Sequence, residues 1–158
     1  MNIHYIKGDA TRPRGEGTKI ICHICNDIGA WGAGFVLALS ARWDEPEQSY
    51  RTMSYEERTL GKVSIVEVED DILVANMIAQ SGISDTKIKG VIDQNSQPPI
   101  RYYAVRQCLT AVNSLAKEIN ATLHMPRIGC GLAGGRWEEI EKILKEVVTV
   151  NVYVYDIK

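Results

Sequence analysis

Two glycine-rich turns, each leading from an apolar strand pattern into a helical one, constrain this chain more than any other feature. The first is Asn26-Asp27-Ile28-Gly29-Ala30-Trp31-Gly32-Ala33-Gly34-Phe35. The second is Pro126-Arg127-Ile128-Gly129-Cys130-Gly131-Leu132-Ala133-Gly134-Gly135-Arg136-Trp137. Glycine lets the backbone bend sharply and approach a ligand closely. The start of a helix offers unpaired N–H groups and a favourable dipole to an anion. Two such turns predict a bound phosphate or diphosphate; the plain alternative is a pair of tight turns that bind nothing.

The hydropathy pattern sets these turns in an α/β chain. Strands are predicted at Ile3–Lys7, Lys19–Cys25, Gly61–Glu69, Ile72–Ile78, Thr122–Met125 and Val150–Tyr155. The second of these is continuously apolar, as in a strand covered on both faces, and is expected at the centre of the sheet. Helices are predicted from Gly34 to Trp43, from Pro46 through Arg58, from Ile100 to Glu118 and from Trp137 to Val147. In the third helix Val105, Leu109, Val112, Leu115 and Ala116 recur at helical spacing. Glu138, Glu139 and Glu141 suit the opening of the last helix, where acids oppose the dipole. Strands alternating with helices predict a mixed central sheet flanked by helices, a three-layer α/β/α fold, and 158 residues suggest one domain spanning 1–158. The polar stretch from Gln80 to Gln97 reads as a long loop of the kind that serves as a lid, with Asp85, Lys87, Lys89 and Asp93 on its solvated rim.

The net charge of -2 carries no basic footprint for nucleic acid. No apolar run is long enough to span a bilayer, and no export signal is recognisable at Met1–Lys7. A cytoplasmic setting with reduced thiols is the expectation. Cys22 and Cys25 have the spacing of a redox or zinc pair, but positions three apart in a strand point to opposite faces. Buried structural thiols are expected, with no metal and no cofactor.

Gly129-Cys130-Gly131-Leu132-Ala133-Gly134 fits the dinucleotide fingerprint G-x-G-x-x-G, but too few residues follow it to build the rest of such a sheet. No P-loop sequence occurs. His4 and His124 sit in strand patterns and read as structural. His23, also in a strand, would by itself most simply be a satisfied core residue.

Taken together, these segments resemble the macrodomain family, ADP-ribose-binding α/β/α modules, over nearly the whole chain. Gly8-Asp9-Ala10-Thr11 is similar to the family's segment after the first strand; Cys25-Asn26 and both glycine loops match as well. The resemblance implies that Asp9 hydrogen-bonds the adenine amino group, with Ala10 beside it, and that Tyr155 lies where an aromatic can stack on the base. It further implies that Asn26 contacts the distal ribose, and that Gly32, Ala33, Gly34 and Phe35 with Gly129, Cys130, Gly131, Leu132, Ala133 and Gly134 hold the diphosphate. Gln80 is a candidate for reaching the distal ribose.

Within the family, His23-Ile24-Cys25-Asn26, Trp31-Gly32-Ala33-Gly34 and the string from Met125 to Leu132 followed by Trp137 resemble the branch of ADP-ribose-1″-phosphate phosphatases and terminal ADP-ribose-protein glycohydrolases. The glycohydrolases' Lys has no counterpart in Met77-Ile78-Ala79-Gln80, and their loop Asp is replaced by Ala133. The resemblance raises His23 to a candidate catalytic residue, with Asp27 as the nearest candidate acid. Three readings stand: a hydrolase of ADP-ribose-1″-phosphate or of an ADP-ribosylated acceptor (protein or nucleic acid), a reader of ADP-ribose without turnover, and another nucleotide-binding α/β protein. None involves a membrane, and the oligomeric state is left open.

Overall fold

The structure, a computed structural model, describes residues 2–83 and 98–157. Gln80 ends strand β4 instead of opening the predicted lid, and the lid's positions 84–97, with its rim residues Asp85, Lys87, Lys89 and Asp93, lie outside the described residues. The elements in chain order are β1 (Ile3–Lys7), β2 (Thr18–Asn26), α1 (Phe35–Arg42), α2 (Glu45–Arg51), β3 (Val63–Glu69), β4 (Ile72–Gln80), α3 (Tyr102–Ile119), β5 (Ala121–Met125), α4 (Trp137–Val147) and β6 (Val152–Asp156). They form one six-stranded sheet in the order β1-β6-β5-β2-β4-β3. All neighbours pair in parallel except β3, which runs antiparallel to β4 at one edge.

Helices cover both faces of this mixed sheet, giving three α/β/α layers. On one side α3 and α4 close over Ile20, Cys22, Ala75, Met77, Leu123 and Val154. On the other, α1 and α2 close over Ile21, Cys25, Val74 and Ile78. Strand β2 therefore feeds both cores with alternate residues, which is why its sequence is apolar without interruption. Cys22 and Cys25 fall in different cores, as the alternation requires. Ala104, Val105, Cys108, Leu109, Val112 and Ala116 form the buried stripe of α3. Ile140, Ile143 and Leu144 do the same for α4, with Glu138 and Glu139 in its first turn. Among the described residues no helix is long and apolar enough to cross a membrane.

Two predicted boundaries are corrected by local hydrogen bonds. Helix α2 stops at Arg51 instead of continuing through Arg58. Ser54 and Glu57 cap one another reciprocally, Ser54 N–H to Glu57 Oε1 (2.7 Å) and Glu57 N–H to Ser54 Oγ (3.1 Å), and so start a separate turn. Strand β6 begins at Val152 instead of Val150 because Asn113 Oδ1 accepts the N–H groups of Thr149 and Val150 and turns the chain off α4.

With β1, β6, β5, β2 and β4 parallel, their carboxyl ends share one edge of the sheet. Asp9, Asp156, Pro126, Asn26 and Gln80 lie at or just beyond those ends. Both glycine loops leave from this edge, which is where open parallel sheets form their ligand crevices.

Candidate functional site

A cleft of about 230 Å³ opens at that edge, walled by the two glycine loops, His23 and Gln80. A larger, shallower depression of about 870 Å³ lies between Ser49, Met53, Glu57 and Lys62, away from both loops.

The first loop is built by Asn26, which is 7% exposed. Its Oδ1 accepts the N–H groups of Ile28 (3.1 Å) and Ala30 (3.0 Å), and its Nδ2 donates to Ala30 O (2.7 Å). The Tyr50 hydroxyl reaches Asn26 Oδ1 at 2.7 Å and accepts the Gly29 N–H at 3.0 Å. Short polar side chains that mimic a backbone turn in this way are strong loop formers. Its amide therefore shapes the loop, with one Nδ2 hydrogen given to Ala30 O and a second not used by the described chain. Trp31 then tucks inward, donating Nε1–H to Ser40 Oγ (2.8 Å) and packing on Tyr50. Gly34 caps α1 at φ 82°, ψ -146°, a conformation that glycine alone adopts readily. Among the described residues, no acceptor from the chain reaches the N–H groups of Ala33, Gly34, Phe35 and Val36.

The second loop folds back on itself. Gly135 N–H donates to Gly129 O (2.7 Å) and Gly134 N–H to Gly131 O (3.0 Å), while Ala133 O accepts the Ile100 N–H (3.1 Å). Gly129 has φ 73°, and a Cβ there would stand 2.1 Å from Ile100 Cδ1. The Cys130 and Gly134 N–H groups are used inside the loop, so two of the expected diphosphate donors are already committed. Those of Gly131, Leu132 and Ala133 have no acceptor from the described chain. One cleft thus lies between two banks of unsatisfied donors, the concave arrangement that attracts anions.

At the other end of the edge, Asp9 is exposed after β1, its Oδ1 holding the Thr11 N–H (2.8 Å) and hydroxyl (2.7 Å). Ala10 beside it is buried. Tyr155 is only 2% exposed. Its hydroxyl accepts the Arg14 N–H (2.8 Å) and pairs with His124 Nδ1 (2.8 Å). Its ring thus supports the segment after Asp9 from below. Arg127, quoted in the second loop but given no role from sequence, lies on the cleft wall. Asp156 binds its guanidinium in bidentate fashion (2.8 and 3.0 Å), against the rings of Tyr5 and Trp137.

His23 lies on the cleft wall but is 2% exposed. Trp31 meets its ring edge-on at 5.5 Å and Phe35 packs obliquely at 5.9 Å. Its Nε2 pairs with Oδ1 of Asn76, a residue that sequence reasoning passed over. The signal available was a single amide inside the apolar run Ile72–Ala79. Among the described residues Asp27 makes no hydrogen bond to His23; its Oδ1 accepts the Gly82 N–H (2.8 Å) and so braces the turn after β4. Burial lowers the His23 pKa to about 4, and burial also lowers that of His124 to about 4.

Both imidazoles are therefore neutral in the fold at neutral pH, while in the unfolded chain they titrate near 6.5. Between those values the unfolded chain binds more protons, so stability rises with pH. The contribution is present above pH 6.5 and is lost as pH falls towards 4. Thermal unfolding followed from pH 7 to pH 4 is expected to show a falling Tm, and a Tm unchanged between pH 6.5 and 4.5 would contradict neutral burial.

No family model matches the chain. A protein of unknown function from Bacteroides thetaiotaomicron is 55% identical, with a TM-score of 0.88 and 98% of each chain covered. The ADP-ribose 1″-phosphate phosphatase of Candida glabrata is 28% identical, covering 99% of this chain and 99% of that protein. Mouse chromodomain-helicase-DNA-binding protein 1-like is also 28% identical, but this chain spans only 18% of its length. A macrodomain protein from Streptomyces coelicolor is 42% identical with a TM-score of 0.81, covering 98% of this chain and 99% of that one. With the six-stranded sheet, its three layers and the paired loops at its carboxyl edge, this likeness over the full length shows that the chain belongs to the macrodomain family.

Proposed function

We propose that the cleft binds ADP-ribose or a close derivative. The observation that carries this reading is the pair of donor banks, Ala33 to Val36 and Gly131 to Ala133, on the walls of one cleft. A diphosphate between them accepts N–H groups that the fold leaves without partners. The first bank also adds the dipole of α1. Asp9, exposed at the end of β1, is the acceptor for an adenine amino group. Membership of the macrodomain family and the full-length match to an ADP-ribose 1″-phosphate phosphatase point to the same ligand class.

Titration calorimetry with ADP-ribose, ADP and NAD tests the reading. ADP-ribose is expected to bind most tightly, and no heat with any of the three would overturn it. Replacing Asp9 by Ala removes one charged acceptor and is expected to weaken ADP-ribose roughly tenfold, about 1.5 kcal/mol. Equal affinity in the variant would remove Asp9 from the base site.

A second reading, hydrolysis at the distal end of the ligand, is favoured by one observation: His23 sits on the wall of the same cleft. It would take a proton from water attacking the phosphate of ADP-ribose-1″-phosphate, with the loop N–H groups stabilising charge on the phosphate oxygens. Met77 to Gln80 and Ala133 supply neither the lysine nor the acid of a covalent lysine–ribose mechanism. Phosphate release from ADP-ribose-1″-phosphate, and release of ADP-ribose from modified protein or nucleic acid, separate the hydrolase from a reader that binds without turnover. Full activity after His23→Ala would take His23 out of the mechanism.

A further inference from the structure

We propose that Asn76 is a positioning residue that holds His23 as its Nε2–H tautomer, so that His23 meets the occupant of the cleft through a bare Nδ1, as a hydrogen-bond acceptor or base and not as an acid. The second half of this proposal rests on the reading that the cleft takes ADP-ribose. The first half stands on the protein alone.

The parallel pairing of β2 with β4 sets His23 directly beside Asn76, on the face of the sheet that α1 and α2 cover. Asn76 is wholly buried. One end of its amide lies 3.0 Å from the carbonyl of Pro46, at the start of α2. A carbonyl only accepts, so that end is the NH2 group. The end facing His23 is then Oδ1, also an acceptor only. The nitrogen it meets, Nε2, must therefore carry the hydrogen. The chain of donors runs one way, from imidazole to amide to the first turn of α2, and an amide flip would set Oδ1 against the Pro46 carbonyl, acceptor against acceptor.

This leaves Nδ1 as the imidazole's free lone pair. Its polar neighbour among the described residues is the Cys25 thiol, 4.0 Å away, a weak partner. Among the described residues no charged side chain acts on the ring: α1 and its preceding loop bring Phe35 and Trp31, β4 brings Asn76, and β2 brings Cys25, the titratable neighbour. A neutral amide orients the ring and favours its proton only weakly, an effect that burial outweighs. An aspartate in its place would favour the imidazolium.

Nitrogen-15 NMR of histidine-labelled protein at pH 7, with His23 identified through His23→Ala, reads the tautomer directly. The expected spectrum has His23 protonated at Nε2 and bare at Nδ1. Adding ADP-ribose is expected to move the Nδ1 resonance while Nε2 keeps its proton. Asn76→Leu is expected to replace the single tautomer by an averaged mixture. Asn76→Asp is expected to let His23 take up its second proton at a higher pH than in the wild type. If Asn76→Leu does not fold, the wild-type spectrum still decides: a bare Nε2 or an imidazolium at pH 7 overturns the lock. Calorimetric binding of ADP-ribose that leaves both His23 resonances unmoved overturns the contact while leaving the ligand reading intact. Absence of binding overturns the ligand reading and with it the contact, while the tautomer of the free protein still decides the lock.

Discussion

Valine in place of Gly131 is expected to weaken ADP-ribose at least a hundredfold, about 2.8 kcal/mol, while leaving the fold intact. The two effects separate because of where this glycine sits. Among the described residues, a Cβ built on Gly131 meets no atom beyond its chain neighbours within 4 Å, and its backbone lies outside the left-handed region. The open space beside it belongs to the cleft, whose wall it forms. A branched side chain would fill the approach to the Gly131, Leu132 and Ala133 N–H groups and separate them from a diphosphate. Gly32 is equally open on the facing loop, so Gly32→Val is expected to act in the same way from the other side. Gly129→Ala is the contrast. Its positive φ and the 2.1 Å approach to Ile100 Cδ1 turn the same kind of change into a folding defect. Calorimetry paired with thermal unfolding checks all three. If Gly131→Val and Gly32→Val both keep the wild-type Tm and wild-type affinity, the donor banks do not hold the ligand.

Asn26→Ala is expected to destabilise the protein by about 3 kcal/mol and to disorganise the first loop. The side chain satisfies two N–H groups and one carbonyl of its own loop and meets the Tyr50 hydroxyl. Truncation leaves the Ile28 and Ala30 N–H groups without their acceptor in a part-buried turn and empties the space of a side chain that is itself buried, and the two losses add to more than an ordinary hydrogen bond contributes. For a chain of this size the loss corresponds to a fall in Tm of roughly 6–12 °C. Asn26→Asp keeps the acceptor oxygens and loses the donor to Ala30 O, so an intermediate fall is expected. Denaturant unfolding of the three proteins gives the ranking, and a Tm for Asn26→Ala within a degree of wild type would mean that the loop stands without this side chain. Loss of ADP-ribose affinity is expected to accompany the disordered loop.

These two residues mark where sequence reasoning succeeds and where it stops. The glycines were legible because spacing and conformational freedom are local properties: a run such as Gly129 to Gly135 cannot be a strand or the interior of a stable helix, whatever surrounds it. The unbroken apolar stretch of β2 likewise showed a strand covered on both faces, and the alternation within it sent Cys22 and Cys25 apart. The spacing in α3 specified its buried stripe without any knowledge of what it packs on. For Asn26 the residue type allowed either a turn former or a ligand contact. The turn became visible only in the loop's closure around its amide, with Tyr50 brought in from α2.

By itself, then, the chain's order of residues determined the layers, the faces and the two loops, because hydrophobic period and backbone freedom act over a few neighbouring positions. Which side chains touch was decided in three dimensions. His23 and Asn76 are 53 positions apart and meet only because β2 and β4 pair in one particular register. Tyr155 ends up beneath its neighbours because Arg14 and His124 claim its hydroxyl. Asp27 turns to Gly82 because β4 ends next to it. A period says which way a residue faces, but a partner far along the chain is chosen by strand order and register, which the packing of the whole sheet sets.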